Sequence, residues 1–114
     1  MHKDNRLKTK ADFNNLYINS NRVTNNEFIL ISKPNIGNLS RFGFSIKKRF
    51  GNAVNRNKIK RRLKEIIRQT NILDGWDIVF IPKKNINTKN YKQIKTSVTN
   101  LLFRAGLLNT KVEI

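Results

Sequence analysis

The segment from Gly51 to Arg68 constrains the fold most, because it joins a helical apolar repeat to a dense run of cations. With an advance of about 100° per residue, a helix over this segment has one apolar face and one basic face. The apolar face carries Ile59, Leu63, Ile66 and Ile67. The opposite side carries Asn57, Arg61, Lys64 and Arg68, flanked by Lys58 and Lys60. The segment therefore predicts a helix that packs on a core and presents cations outward; Arg62, near the apolar face, must reach outward along its stem.

The alternative interpretation of these cations is an ordinary solvated helix surface. Such surfaces usually mix charges at i, i+4 spacing, whereas Glu65 is the only acid from Gly51 to Arg68. The whole chain shows the same imbalance, since 24 Lys and Arg against 7 Asp and Glu give a formal net charge of +17. Self-repulsion of that size destabilises a compact state unless a partner neutralises it. The charge pattern therefore favours nucleic acid phosphate as the partner.

The residues that lead into this helix extend the basic surface. Lys47, Lys48 and Arg49 precede a Gly51-Asn52 turn. Free backbone N–H groups at a helix N-terminus can hold a phosphate. We expect Asn52 or Asn55 to cap the helix.

The remaining composition excludes several classes of site. The chain has no cysteine, which excludes disulfides and thiolate zinc sites. Its acids are scattered along the sequence, and His2 is the only histidine, so no acid–base pair or two-metal carboxylate cluster is expected. No apolar run is long enough for a membrane span, and the first ten residues lack a signal sequence, which favours the cytoplasm. The residues alone predict a binding protein without catalytic groups.

A length of 114 residues suits one domain over 1–114, with 1–10 as a loose basic arm. The predicted helices are Ala11–Ile18, a basic helix that follows Asn52 and runs to about Gln69, and Thr88–Ala105, the last capped by Asn87 or Thr88. The predicted strands are Phe28–Ile31, Arg41–Ile46 and Asp77–Ile81. Residues Asn19–Asn26 are predicted as a connection and Lys83–Asn87 as a basic turn. The order α-β-β-α-β-α predicts an α/β sandwich with helices packed on a small sheet.

Two pairs of aromatic residues have helical or strand spacing. Phe13 and Tyr17 lie one turn apart, which is typical of core packing but also of a platform that stacks unpaired bases. Leu16 can supply the core contact, and the residues alone leave both interpretations open. Phe42 and Phe44 share one strand face and are expected in the core. Trp76 is expected to be partly buried.

The string from Gly51 to Arg62, GNAVNRNKIKRR, resembles the signature of the bacterial ribonuclease P protein subunit. Supporting matches are Arg6-Leu7, Asp12-Phe13, Phe42 to Ile46 and Leu102-Phe103. The resemblance implies the same α-β-β-α-β-α fold, with a left-handed β-α-β crossover around the basic helix. It also implies binding to a catalytic RNA, one protein per RNA, that removes the 5′ leader of precursor tRNA. The RNA would carry the magnesium ions and the chemistry, and the protein would bind no cofactor by itself.

The resemblance also assigns site residues by position. The catalytic-RNA-binding set is Arg49, Asn52, Arg56, Asn57, Lys58, Lys60, Arg61 and Lys64, to which the charge pattern adds Lys47, Lys48 and Arg68. Phe13 and Tyr17 match the aromatic positions of the cleft that receives the leader. Lys58 replaces the family's second Arg and loses its bidentate fork. Ile31 stands where some members carry an aromatic ring.

Two other classes of protein share parts of this pattern. A ribosomal or general RNA-binding protein without a role in cleavage has similar charge, but does not need the signature string beside an aromatic cleft. A peripheral membrane-binding domain would show a broad exposed apolar face beside its cations. Here the apolar face of the basic helix is expected to enter the core.

Overall fold

The computed structural model describes residues 6–7, 9–48 and 51–109. Arg49 of the predicted RNA-binding set, His2 and most of the predicted basic arm lie outside the described residues. The helices are α1 (Lys10–Tyr17), α2 (Ala53–Gln69) and α3 (Tyr91–Arg104), with a 3₁₀ helix over Lys84–Thr88. The strands are β1 (Asn21–Thr24), β2 (Phe28–Pro34), β3 (Arg41–Phe44) and β4 (Trp76–Pro82). The predicted mixed architecture is confirmed.

The four strands form one sheet in the order β1-β2-β4-β3. The pairs β1/β2 and β2/β4 are antiparallel, whereas β3 and β4 are parallel. A parallel pair needs a long crossover connection, and α2 lies in that crossover. The left-handed sense of this crossover stays an expectation from the family resemblance.

Strand β1 corrects the prediction that Asn19–Asn26 is a connection. It is a short edge strand in which only Val23 packs against the core, while Asn21, Arg22 and Thr24 are exposed. A strand with one apolar residue gives almost no alternating signal. Its partner β2 therefore decides its conformation.

The start of α3 is also corrected, since neither Asn87 nor Thr88 caps it. Residues Lys84–Thr88 form the 3₁₀ helix where a turn was predicted, and Asn90 is the N-cap of α3. The Asn90 side chain accepts from the Gln93 amide, and the Gln93 side chain accepts from the Asn90 amide. This reciprocal capping box defines the helix start.

The larger core lies on the sheet face covered by α2 and α3. Phe80 is its centre, with the Phe28 ring edge-on at 6.2 Å and the Phe44 ring stacked at 6.5 Å between ring centroids. Phe42 is buried, and Trp76 packs against this core while partly buried, as predicted. Both phenylalanines of β3 are thus core residues.

The opposite sheet face carries a smaller apolar cluster under α1. Its buried members are Leu7, Leu16, Ile31 and Val79. Phe13, Ile29 and Ile81 pack around them and stay only partly buried. Because α1 has eight residues, it covers only part of this face. The partly buried Ile29 and Ile81 mark a strip of this face that α1 leaves uncovered, and we refer to this strip as the cleft.

Replacing Leu63 with Ala should show how much the larger core depends on α2. Leu63 is completely buried, so Leu63→Ala should lower the free energy of unfolding by about 2–5 kcal/mol. Val54→Ala on the same helix is the matched control, because Val54 is 70% exposed and should change stability by less than about 0.5 kcal/mol. Chemical denaturation measures both, and equal effects would mean that α2 is not anchored through Leu63.

Candidate nucleic-acid interface

Helix α2 begins at a turn that its sequence defines locally. Gly51 has φ 114°, a left-handed conformation that favours glycine. Asn52 is the N-cap, and its side-chain oxygen accepts from the Asn55 amide at 3.0 Å. Asn52, and not Asn55, therefore caps the helix.

The predicted division of α2 into two faces is confirmed. Ile59, Leu63, Ile66 and Ile67 are buried. Most of the predicted RNA-contacting set is exposed on the other side or in the lead-in: Lys47, Lys48, Asn52, Asn57, Lys58, Lys60, Arg61 and Arg68. Arg56 and Lys64 are partly buried. One helix thus brings most of the set together on a single surface, which we call the basic face.

Three arginines of α2 differ in the hydrogen bonds that their guanidinium groups make within the protein. Arg62 is partly buried, and its Nη1 donates to the Lys89 carbonyl at 3.4 Å, so it turns toward the segment before α3. The buried Nε of Arg56 has no hydrogen-bond partner among the described residues. Arg68 donates through Nη2 to Glu65 at 2.6 Å and through Nε at 3.0 Å. Arg68 is therefore paired within the helix, which the sequence prediction did not include.

The pairing of Glu65 alters its titration. Hydrogen bonds from Arg68, the Arg68 charge and a hydrogen bond from Gln69 hold the pKa of the Glu65 carboxyl below its ordinary value of 4.5. The same pair raises the pKa of Arg68. The only acid of the basic helix thus neutralises one end of the basic face, and the other end keeps its charge.

Open grooves border the basic face on both sides. A cavity of about 440 Å³ is lined by Val54, Asn57, Lys60, Arg61 and Lys64. A second cavity of about 320 Å³ is lined by Lys58, Arg61, Arg62, Glu65 and Tyr91. Arg61 lines both grooves, which makes it the central cation of this surface.

The aromatic pair of α1 lies on the other side of the sheet. Leu16 is buried and makes the core contact, as predicted, while Tyr17 is 43% exposed. Phe13 is partly buried at the edge of the smaller cluster. Ile31, which replaces an aromatic residue of some family members, is buried under α1. The two rings therefore border the cleft, whereas the Ile31 side chain is covered and the partly buried Ile29 and Ile81 remain accessible beside it.

Arg22 is a cation of this cleft that the sequence interpretation missed. It is exposed on β1 and pairs in register with Ile31 of β2. Partners in an antiparallel pair point to the same face, so Arg22 lies on the face that carries α1. The sequence did not predict this position because residues 19–26 were expected to form a connection, and a connection does not assign side chains to a sheet face.

Two acids that are distant in sequence meet at one arginine. Arg41 donates to Asp77 through Nε at 2.9 Å and Nη2 at 2.7 Å, and its Nη1 lies 3.5 Å from Asp12. The hydrogen bond from Arg41 to Asp77 raises the pKa of Arg41. Asp77 also accepts from the Asn35 side chain at 2.9 Å. These acids are thus not scattered in space, but they hold a guanidinium and tie α1 to the sheet.

The described residues contain no group of three or more His, Cys, Asp or Glu side chains able to hold a metal ion. Within the same residues, no helix combines the length and the apolar character that crossing a membrane requires.

The sequence model of the Ribonuclease P family matches residues 1–106. The chain belongs to the ribonuclease P protein family. The ribonuclease P protein component of Clostridium kluyveri is 39% identical over 106 residues, which cover 90% of this chain and 95% of the relative. That of a Clostridium botulinum strain is 34% identical over 110 residues, 94% of this chain and 99% of the relative. Family membership makes the chain a protein component of an endoribonuclease of tRNA processing.

Solved structures of the family have the same fold. The Staphylococcus aureus RNase P protein superposes with a TM-score of 0.85 at 33% identity, covering 92% of this chain and 98% of that one. The Thermotoga maritima RNase P protein gives a TM-score of 0.81 at 32% identity, covering 87% of this chain and 96% of that one. The predicted family and fold are both confirmed.

The Glu65–Arg68 pair predicts a measurable pH dependence. Since the pKa of Glu65 is lowered in the folded state, its contribution to stability is present above the unfolded pKa. It is lost as the pH falls through the lowered pKa. In Arg68→Gln the carboxyl should titrate closer to 4.5, whereas Lys60→Gln, on the far side of the helix, should leave it almost unchanged. NMR titration of the Glu65 carboxyl distinguishes the two, and equal titration in both variants would contradict the pairing.

Proposed function

We propose that the basic face of α2 binds the catalytic RNA of ribonuclease P and that the cleft beside α1 binds the 5′ leader of precursor tRNA. One observation carries the proposal: the basic face and the aromatic pair lie on opposite sides of the same sheet. A chain with two separate RNA-binding surfaces can hold the catalytic RNA and the substrate at once. The protein then assists leader removal by positioning.

The basic face suits a folded RNA because its cations are exposed along one side of a single helix. Lys58, Lys60 and Arg61 lie on the exposed side of the helix; Lys58 borders one groove, Lys60 the other, and Arg61 both. Each cation that neutralises a phosphate releases counterions and adds to the affinity. Lys47, Lys48 and the capped N-terminus of α2 continue the surface, with Asn52 as a polar contact. Asn57 and the partly buried Arg56 and Lys64 complete the proposed docking set.

The cleft suits a single strand because it places flat rings beside an apolar floor and a cation. Unpaired bases stack on aromatic side chains, and phosphates need a positive charge nearby. Tyr17 and Phe13 supply the rings, the partly buried Ile29 and Ile81 supply the apolar floor, and Arg22 supplies the charge at the edge. A double helix would not fit these contacts, because its bases are already stacked.

In this proposal the catalytic RNA carries out the hydrolysis. Magnesium ions would be held by the RNA-containing holoenzyme in the cytoplasm, with one protein on each RNA. The protein contributes no catalytic residue and no cofactor of its own.

Reconstitution tests the proposed function directly. The chain is mixed with a bacterial ribonuclease P RNA at low magnesium, and removal of the leader from precursor tRNA is measured. We expect faster cleavage than with RNA alone, because the protein neutralises phosphates and holds the leader. No stimulation would reject the proposal and favour a general RNA-binding protein without a role in cleavage.

Arg61 and Arg68 form a matched pair for testing the basic face. Arg61→Ala should reduce the salt slope of catalytic-RNA binding by about one, the effect of one lost phosphate contact. Arg68→Ala should reduce it less, because Arg68 is already paired with Glu65. Measured dissociation constants over a range of KCl concentrations give both slopes. An unchanged slope for Arg61→Ala would mean that this side chain meets no phosphate.

The aromatic pair should matter only for leader-bearing substrate. Phe13→Ala and Tyr17→Ala should each weaken holoenzyme binding of precursor tRNA relative to mature tRNA by about 1–3 kcal/mol, the range of one lost stack. Phe103→Ala is the matched control, since Phe103 is 68% exposed on α3, across the sheet. Equal losses for precursor and mature tRNA would place the leader elsewhere.

A further inference from the structure

The ring of Phe13 rests on a gap in the sheet that glycine leaves open. Gly43 is buried in β3 on the face that carries α1. A Cβ at position 43 would lie 2.8 Å from both Cε1 and Cζ of Phe13 and 3.1 Å from Cδ1 of Leu7. Cβ atoms essentially never come within 3.0 Å of a heavy atom of a residue that is not their neighbour in the chain. The ring therefore occupies the space that any other residue would fill.

Gly43 is needed here for its size. Its φ lies outside the left-handed region, in which side chains are strained, and it pairs in regular parallel register with Val79 of β4. An alanine would therefore keep the strand geometry and add only a methyl group. This separates Gly43 from Gly51 and Gly75, whose φ angles are positive.

The register places Gly43 at one end of a row that crosses the cleft face. Val79 pairs with Gly43 on one side and with Ile31 on the other, and Ile31 pairs with Arg22. The row thus begins with an exposed cation and ends with the only member that lacks a side chain. Because of that gap, the Phe13 ring can descend to the level of the sheet.

The backbone of α1 is held independently of the ring. Leu16 is buried in the smaller cluster. Asp12 accepts from the Thr9 amide at 3.1 Å and lies 3.5 Å from Arg41. With α1 anchored by its neighbours, a methyl at position 43 should displace the flexible end of the Phe13 side chain and leave the helix in place.

We propose that Gly43 is a positioning residue for leader binding, because it sets the height and tilt of the Phe13 ring in the cleft. This inference rests on the proposed function. A stacking ring is useful only at the right distance and angle to a base, so a displaced Phe13 should lose part of its contact although no leader-contacting group is removed.

The test compares Gly43→Ala with Gly37→Ala in the reconstituted holoenzyme. Gly37 lies in the exposed β2–β3 loop, where an added Cβ would meet only Asn35 Oδ1, at 3.4 Å. The readout is the ratio of dissociation constants for mature and leader-bearing tRNA. We expect Gly43→Ala to lower the preference for leader-bearing tRNA about fivefold, which is less than the largest loss expected when a stacking contact is removed completely. Gly37→Ala should leave the preference unchanged.

Coupling to Phe13 separates positioning from general damage to the fold. The double variant Phe13→Ala with Gly43→Ala should show the same leader preference as Phe13→Ala alone, since no ring remains to be displaced. Binding to the catalytic RNA, across the sheet, should be the same in all variants. Full leader preference in Gly43→Ala, or losses that add in the double variant, would overturn the inference.

A measurement without RNA keeps the inference separate from the proposed function. Gly43→Ala should lower the midpoint of thermal unfolding of the free chain, and Phe13→Ala should relieve that loss because the methyl then has room. If Gly43→Ala lowers the midpoint equally with and without the Phe13 ring, the proposed contact between residue 43 and the ring is wrong, even if the holoenzyme is active. If Phe13→Ala does reduce the loss in midpoint but the unaltered chain does not stimulate leader removal, the contact is correct and the proposed function is wrong.

Discussion

The burial of β4 on both of its faces is the constraint on which the rest of the structure depends. Ile78 and Phe80 point into the core under α2 and α3, while Val79 lies in the smaller cluster under α1. Because β4 is hydrogen-bonded to β2 on one side and β3 on the other, it also sets the register of the whole sheet. A displacement of β4 by one residue would exchange its two apolar faces and separate both proposed RNA surfaces from their supports.

The two faces of β4 are covered unequally, and this inequality creates two kinds of surface. Two helices of 17 and 14 residues cover the larger core, and the outer side of α2 is free to carry cations. One helix of eight residues covers the other face, so part of its apolar surface remains open beside Tyr17. A folded RNA can meet the first surface through its phosphates, and a single strand can meet the second through its bases.

A chain of net charge +17 has few acids, and several of them bind arginines of its own fold. Acids are used where they hold structure together: Asp77 and Asp12 at Arg41, and Glu65 at Arg68. The exposed Glu65–Arg68 pair contributes little to stability, whereas the contacts of Arg41 are partly buried. The fold rests mainly on its apolar cores. The unpaired cations of α2 are then left for a polyanion.

The sequence by itself determined the helical basic segment, the order of the three helices and of strands β2, β3 and β4, and the family, because each depends on local periodicity or on one contiguous string. The face of α2 formed by Ile59 and Leu63 could be predicted for the same reason. The pairing of Arg68 with Glu65 is local as well, since the two residues lie three positions apart on α2, although the sequence prediction did not include it. Only the tertiary structure decided the edge strand β1 and the meeting of Asp12, Arg41 and Asp77. The contact of Phe13 with Gly43 belongs to the same group, since it joins residues 30 positions apart across a helix–sheet interface. Such contacts depend on the strand order and register of the sheet, and no local pattern in the sequence encodes either.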